Sequence, residues 1–259
     1  MQLCSSDDVA KNLQRITQLL ANHDQPLDVL LLPENATLIT RSHALKQHHA
    51  QPCEYNKILQ HFSNLAKINQ CWLVAGSILI QDMKNPDKFF NHSPVFSPEG
   101  KLIAAYNKMH LFDVDLGDES WQESKHISAG EAPEMVTLNK QWKVGLSICY
   151  DLRFPELYRQ YSAQGCNIFT VPAAFTVPTG QAHWEILLKA RAIENQAYVL
   201  AAGQVGQHTD GRKTYGHSQI ISPWGETLAE IENDEGIISA HLILDDLKQR
   251  MPVLQHRRI

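Results

Sequence analysis

Residues 92–100 (HSPVFSPEG) recur in the second half of the chain as residues 217–225 (HSQIISPWG), with five identities at a constant offset of 125 positions. Each copy ends in a Ser-Pro-x-Gly turn between two apolar runs, and this pattern predicts a β-hairpin. Ala75-Gly76 is matched in the same way by Ala202-Gly203. Such turns also recur by chance, but together with the order of elements around them they indicate two similar halves.

The elements around the two hairpins follow one order, β-α-β-α-β-β. Apolar residues at helical spacing predict the helices, and short apolar runs predict the strands. In the first half these are a helix over 7–22, a strand over 28–32, a helix around 58–66, a strand over 72–80 and the hairpin 91–107. In the second half they are a strand over 144–148, a helix from Pro155, a strand over 168–171, a helix over 183–196, a strand over 198–202 and the hairpin 217–231. Residues 1–4 align with the strand that ends at Cys149, so we expect a shortened first strand.

This order predicts how the two halves pack. Each half forms one sheet with two helices on one face, which leaves the other face apolar and in need of a partner. Packing the halves sheet against sheet gives an α/β fold with four layers, an α-β-β-α sandwich. Because no linker separates the halves, we expect one domain over residues 1–259.

Composition narrows the class of protein. With 43% hydrophobic and 20% charged residues, the 259-residue chain is typical of a globular protein with a sizeable core. The net charge is −5, and no basic cluster is longer than Arg257-Arg258, which argues against a nucleic-acid partner. The longest nearly apolar run, 71–80, is shorter than the roughly 18 residues of a membrane span. No signal peptide is evident, so we expect a cytoplasmic enzyme or binding protein.

Cysteine and histidine spacing does not indicate a metal site. The five cysteines are odd in number and include no Cys-x-x-Cys pair, so neither a disulfide framework nor a zinc module is predicted. The histidine-containing stretch 41–54 has no metal-ligand spacing and is interpreted as solvated surface.

Three reactive side chains lie at or just past the ends of predicted strands, where active sites of α/β folds collect. They are Glu34, Lys108 and Cys149. Singly, each has an ordinary interpretation, as a solvated turn residue or a small core residue. Together they supply a base, a cation for an oxyanion and a nucleophile. Cys149 lies between a strand and a helix whose N-terminus is expected to favour the thiolate.

A cysteine–histidine pair is the alternative arrangement for such a nucleophile. The histidines nearest to Cys149 in the sequence, His126 and His183, lie outside any strand-end pattern, although the fold could still bring one of them close.

Three segments around these residues resemble the motifs of the nitrilase, or carbon–nitrogen hydrolase, superfamily. They are residues 31–34 (LLPE), 106–113 (YNKMHLFD) and 145–156 (GLSICYDLRFPE). The resemblance implies the α-β-β-α sandwich, no metal or organic cofactor, and a triad with Glu34 as general base, Lys108 as oxyanion stabiliser and Cys149 as nucleophile.

The resemblance also implies further site residues. The family's second glutamate falls on Glu123, and we expect Tyr150, Arg153, Phe175 and Thr176 to contact the substrate. From its position alone, Arg153 could equally bind a substrate carboxylate or pair with a neighbouring acid.

Within the superfamily, residues 179–185 (TGQAHWE), 191–194 (RAIE) and 215–218 (YGHS) resemble the Nit branch. That branch contains omega-amidase and deaminated glutathione amidase, and residues 201–204 (AAGQ) and 252–258 (PVLQHRR) look more like the latter. His183-Trp184 could be helix-start packing, a pocket wall or a subunit contact.

The branch implies a function and an assembly. We expect an amidase acting on a small linear carboxylic amide through a thioester, giving 2-oxoglutarate and cysteinylglycine from deaminated glutathione. Omega-amidase activity and a catalytically idle binding partner are the alternatives. We also expect a homodimer or larger homo-oligomer that pairs through the helices of 154–164 and 183–196.

Overall fold

A computed structural model describes residues 1–115 and 120–248 of the chain. The helices begin where the sequence offers caps. Asp8 accepts a hydrogen bond from the Lys11 amide at the start of α1, and Asn56 does the same for α3. The helices are α1 (Val9–Ala21), α2 (His43–His49), α3 (Lys57–Asn69), α4 (Pro155–Ala163), α5 (Val177–Asn195) and α6 (Leu244–Lys248).

The first half forms a five-stranded sheet. In it, β1 and β2 are parallel, and β4 runs antiparallel to β2, β3 and β5. The strands are β1 (Val29–Leu31), β2 (Trp72–Val74), β3 (Ile78–Gln81), β4 (Phe89–Phe96) and β5 (Leu102–Asn107).

The second half forms a six-stranded sheet with the order β15-β14-β11-β10-β9-β8. Its strands are β8 (Met135–Thr137), β9 (Lys143–Leu146), β10 (Ile168–Ala173), β11 (Tyr198–Gly203), β14 (Ser218–Ile221) and β15 (Thr227–Ile231). Two small antiparallel pairs lie outside both sheets: β6 (Asp113–Asp115) with β7 (Ser120–Gln122), and β12 (Val205–Gln207) with β13 (Lys213–Tyr215).

The two repeated hairpins have the same backbone geometry. The register of the first shifts between Val95 and Phe96, and that of the second between Ile220 and Ile221, which are again 125 positions apart. In both turns the glycine amide donates to the serine carbonyl three residues earlier, at 2.8 and 2.9 Å. The duplication seen in the sequence is therefore also present in the structure.

The core confirms the predicted four layers. Along the parallel strands of the first sheet, alternate side chains face opposite ways, as the period of a strand requires. Leu31 and Val74 pack with Val144 and Leu146 of the second sheet. Leu30, Leu32 and Leu73 pack instead against α1 and α3. On the far side, Tyr158 of α4 and Leu188 of α5 cover the second sheet.

Several predicted elements need correction. The single strand predicted over 72–80 is two strands, because the chain turns at Gly76 with φ +62°, where a Cβ would collide with the Pro33 carbonyl. The helix predicted to begin at residue 183 begins at Val177. Residues 1–4 do not form a regular strand; Gln2 and Leu3 make isolated bridges to Gly236 and Gln204. In the part of the chain that is described, no helix is both long and apolar enough to cross a membrane.

Candidate active site

The three predicted strand-end residues meet in one cavity. Glu34 follows β1, Lys108 follows β5 and Cys149 follows β9, and together with Glu123 they line a cavity of about 530 Å³. Glu34, Lys108 and Cys149 are 3%, 2% and 9% exposed. Side chains of both sheets therefore converge at one end of the sandwich.

Lys108 joins the two carboxylates of the site. Its Nζ donates to Glu34 Oε1 at 3.1 Å and to Glu123 Oε2 at 2.8 Å. Glu123 Oε2 also accepts the backbone amide of Phe112 at 2.7 Å, which fixes that carboxylate. Burial by itself lowers the pKa of Lys108, but the charges of Glu123 and Glu34 outweigh burial and hold the pKa well above its usual value. The lysine is therefore a permanent cation beside Cys149.

Glu34 is held by donors on both oxygens. Asn91 Nδ2 donates to Oε1 at 2.8 Å, and the backbone amide of Ala174 donates to Oε2 at 2.9 Å. Burial by itself raises the pKa of Glu34, but the Lys108 charge and hydrogen bonds from Cys149, Lys108 and Asn91 bring it below its usual value. Glu34 is thus an ionised carboxylate in hydrogen-bond contact with the thiol, as a general base requires.

Cys149 has the backbone of a nucleophile elbow. Its φ is +50°, a left-handed conformation that is costly for a non-glycine residue and common at active sites. It begins a 3₁₀ turn, Cys149–Arg153, which runs into α4 at Pro155. The first amides of such a turn have no partner within it and can donate to a developing oxyanion.

The helix N-terminus does not by itself decide the protonation state of Cys149. Burial, followed by the Glu34 charge, raises the pKa of Cys149 well above its usual value, although Lys108 opposes the shift. The resting residue is a thiol near the ionised Glu34 carboxylate, whose charge contributes to the shift. The glutamate, and not a histidine, is thus the candidate to accept the thiol proton.

The histidines of the alternative arrangement lie elsewhere. His126 lines the cavity, but its ring faces His43 at 5.1 Å between ring centroids. His183 is exposed on α5, so it is not buried helix-start packing, whereas its neighbour Trp184 is buried and packs on Phe175.

Asp151 ties the nucleophile turn to the lysine segment, and sequence reasoning missed it. This fully buried carboxylate accepts from Tyr106 Oη at 2.8 Å and from the Ile148 amide at 2.8 Å. Its other oxygen accepts from the His110 amide at 3.0 Å and lies 2.7 Å from His110 Nδ1. The His110 ring stacks on Phe154 with 3.7 Å between centroids. The sequence did offer a signal for this role, because Asp151 is an acid in a largely apolar segment, two residues after Cys149.

Asn91 was also missed. It lies in the buried strand β4, donates to Glu34 and, at 3.4 Å, to Glu123, and its backbone carbonyl accepts the Lys108 amide at 2.9 Å. Its position directly before the repeated His92-Ser93 could have indicated a special role.

The predicted substrate-contacting residues all line the cavity: Tyr150, Arg153, Phe175 and Thr176. The guanidinium carbon of Arg153 lies 5.9 Å from the centroids of both the Tyr150 and the Phe175 rings. Its Nη2 is 3.2 Å from His183 Nδ1. Among the described residues, no acidic oxygen lies within 4.0 Å of Arg153. The pairing with a neighbouring acid is therefore not formed there.

The stretch 41–54 is only partly the solvated surface that was predicted. Arg41 and Lys46 line the cavity, and Lys46 is half-buried because α2 packs over the cavity rim. The histidines of this stretch do not assemble with other ligands; among the residues with described positions, no group of three or more His, Cys, Asp or Glu side chains could hold a metal ion.

Comparison with known proteins identifies the family. Residues 1–250 match the model of the carbon–nitrogen hydrolase family. The deaminated glutathione amidase of Yersinia enterocolitica is 36% identical, with 100% of this chain and 91% of that protein covered. The protein of the same name from Synechocystis is 40% identical, with 99% and 96% covered.

A solved structure agrees in fold. Saccharomyces cerevisiae Nit3, a member of branch 10 of the nitrilase superfamily, superposes with a TM-score of 0.87 and 33% identity over 100% of this chain and 94% of that one. Of the segments that resemble the Nit branch, residues 252–258 lie outside the described residues. The family, the Nit branch and the enzyme class predicted from the motifs are thus confirmed. A matched domain model, full-length relatives above 30% identity and a shared fold all agree: the chain belongs to the carbon–nitrogen hydrolase family.

Proposed function

We propose that the chain is an amidase that cleaves a linear amide through a Cys149 thioester. The observation that carries this proposal is the position of Lys108 between Glu34 and Glu123, in the same cavity that Cys149 lines. This arrangement supplies a base, a nucleophile and a fixed cation as buried side chains of one cavity.

The first half of the reaction forms the thioester. Glu34 accepts the thiol proton as Cys149 Sγ attacks the amide carbon, and the carbonyl oxygen becomes an oxyanion beside Lys108 and the first amides of the Cys149–Arg153 turn. Collapse of the tetrahedral adduct breaks the carbon–nitrogen bond, and Glu34 returns the proton to the departing amine.

The second half releases the acid. A water molecule enters where the amine left, Glu34 takes its proton, and the resulting hydroxide attacks the thioester carbon. The carbon–sulfur bond then breaks and the proton returns to Cys149 sulfur, which restores the resting thiol.

The proposed substrate is deaminated glutathione, cleaved to 2-oxoglutarate and cysteinylglycine. The name shared by the bacterial relatives supports it. So does Arg153, a cavity-lining cation above the Tyr150 and Phe175 rings, whose planar fork suits the carboxylate of a 2-oxoacid.

The test compares kcat/KM for deaminated glutathione and 2-oxoglutaramate, with a simple nitrile and an N-carbamoyl amino acid as controls. We expect deaminated glutathione to be preferred by at least about tenfold, a difference worth roughly 1.4 kcal/mol. A preference for 2-oxoglutaramate would assign omega-amidase activity. If none of the four compounds is turned over and the intact protein shows no acyl adduct, the remaining interpretation is a catalytically idle binding partner.

We also propose that the whole chain forms one domain, acts in the cytoplasm and assembles through α4 and α5 into a homodimer or larger homo-oligomer. Trp184 and Leu188 of α5 are buried in the core, whereas Ile186 and Ile193 are 70% and 53% exposed. Trp224 is close to this stripe, because the next residue, Gly225, lies against Ile193. The Trp224 side chain is 63% exposed. An apolar stripe of this kind, left uncovered in the single chain, supports a subunit contact.

A further inference from the structure

A second group of cations lines the active-site cavity on the side of α2. It consists of Arg41, Lys46 and Arg212, here called the distal cation group. Asp210 forms an ion pair with Arg212 Nη2 at 2.6 Å and also interacts electrostatically with Arg41. Five cationic side chains and two carboxylates line the described part of the cavity, so its wall carries an excess of positive charge even when Asp210 is included.

Two members of the group have unused hydrogen-bonding capacity. Arg212 Nε is buried and has no hydrogen-bond partner among the described residues. In the same part of the chain, no acidic oxygen lies within 4.0 Å of Lys46 Nζ. Burial, followed by repulsion from Arg212, lowers the pKa of Lys46. An anion bound between these side chains would relieve this repulsion.

A row of aromatic rings connects this group to Arg153. The Arg212 guanidinium carbon lies 5.5 Å from the Trp121 ring centroid. The Trp121 ring is 6.1 Å from Phe112, and Phe112 is 5.1 Å from Tyr150, over which Arg153 lies at 5.9 Å. All five residues line the cavity. The cavity thus has a cation at each end of an apolar wall.

The catalytic groups set the direction in which an amide would lie along this wall. Glu34 returns a proton to the departing amine, so the amine side of the substrate lies toward the carboxylates. Arg212 lies over the ring of Trp121, two residues before Glu123, so the distal cation group lies on the side of those carboxylates. Lys46 also interacts electrostatically with Glu123. Arg153 lies instead on the turn of Cys149, on the acyl side.

We propose that the distal cation group binds a carboxylate carried by the leaving amine, so that the enzyme selects amides of amino acids or short peptides with a free C-terminus. This inference rests on the proposed amidase function and names its leaving-group specificity. The substrate would then be anionic at both ends, held by Arg153 at the acyl end and by Lys46, Arg41 and Arg212 at the amine end.

The experiment compares two substrates with the same acyl group: the 2-oxoglutaryl amide of cysteinylglycine and that of cysteinylglycinamide, which lacks the terminal charge. We expect kcat/KM to favour the carboxylate by at least about tenfold, as for a charge-assisted hydrogen bond. Lys46→Gln and Arg41→Gln should each reduce that preference at least about threefold, and added salt should weaken it. Among the described residues, neither side chain forms an ion pair, so folding should tolerate both changes.

Lys67→Gln, on the exposed side of α3, is the matched control and should leave both rates unchanged. Equal kcat/KM for the two substrates in the wild-type enzyme would overturn the subsite. It would also be overturned if the Lys46 and Arg41 variants lost the same fraction of kcat/KM with both substrates.

A binding measurement separates the subsite from the proposed activity. Isothermal titration of the inactive Cys149→Ala protein should show tighter binding of the carboxylate form, and adding Lys46→Gln should reduce the difference. If neither amide is cleaved but this difference is present, the proposed function fails and the subsite stands. Equal affinity, or no binding of either compound, rejects the subsite.

Discussion

Tyr106 donates a hydrogen bond to the buried Asp151 carboxylate at 2.8 Å, and this contact joins the two segments that carry Lys108 and Cys149. Tyr106 lies two residues before Lys108, and Asp151 lies two residues after Cys149. Burial and the Asp151 charge raise the pKa of Tyr106 far above its usual value, so the phenol remains a donor. The distance between lysine and thiol is thus set by a contact outside the cavity.

Replacement of the buried carboxylate should loosen this link. Asp151→Asn replaces one of the two acceptor oxygens by an NH₂ group, which then faces hydrogen-bond donors. We expect a loss of about 1–3 kcal/mol in the free energy of unfolding, together with a lower kcat. Tyr106→Phe removes a single donor and should cost about 1 kcal/mol. Urea unfolding and steady-state kinetics measure the two effects. Wild-type kcat in a folded Asp151→Asn protein would contradict a positioning role.

The value of kcat/KM should not fall as the pH is lowered toward 4.5, the usual pKa of a glutamate. Because the pKa of Glu34 lies below its usual value of 4.5, the base stays ionised until the pH falls below 4.5. The same shift stabilises the folded protein at any pH above the pKa that Glu34 has in the unfolded chain. This stabilisation is lost as the pH falls through the lower pKa that Glu34 has in the folded protein. A kcat/KM profile measured from pH 4 to 8 checks this prediction. An acid limb near pH 6 to 7 in stable protein would contradict it.

Removal of each proposed catalytic group should slow the reaction for a different chemical reason. Cys149→Ala should lower kcat at least about 10³-fold and give no acyl adduct, whereas Cys53→Ser, at an exposed thiol, should be fully active. Lys108→Met should lose about 10²–10³-fold through the oxyanion, and Glu34→Gln should block both acylation and thioester hydrolysis. Intact-protein mass after brief exposure to substrate distinguishes these cases. An adduct on any other cysteine would refute the assigned nucleophile.

Assembly should depend on the uncovered stripe of α5. Light scattering should give at least twice the 29.3 kDa mass of one chain, and Ile193→Glu should shift the protein toward a single chain. Ile68→Glu is the matched control, because Ile68 is an exposed isoleucine, 77% accessible, on the helix α3 of the first half. A wild-type mass near 29.3 kDa at micromolar concentration would reject the assembly.

The sequence predicted the fold well because the fold is duplicated and its core strands are short, apolar and separated by clear turns. The hairpin turn at Ser97 is determined by residues within it, so local patterns were sufficient. The split at Gly76 was missed because its cause is the carbonyl of Pro33, which is distant in sequence.

The convergence of Glu34, Lys108 and Cys149 was predictable for a similar reason, since each follows a strand end. The residues that hold them were not. Asn91 and Asp151 act through contacts 57 and 45 positions away, with Glu34 and Tyr106. The raised pKa of Cys149 depends likewise on its surroundings in the fold, because burial and the charge of Glu34 cause it.

The single lysine between two carboxylates has a consequence for the energetics of the proposed reaction. Lys108 and Glu123 cancel each other throughout, and one negative charge remains to be accommodated. That charge begins on Glu34, moves to the Cys149 sulfur, then to the amide oxygen, and returns to Glu34 when the amine departs with a proton. The interior therefore never gains or loses net charge during a half-reaction. A single negative charge passes from group to group around one ammonium group that does not need to move.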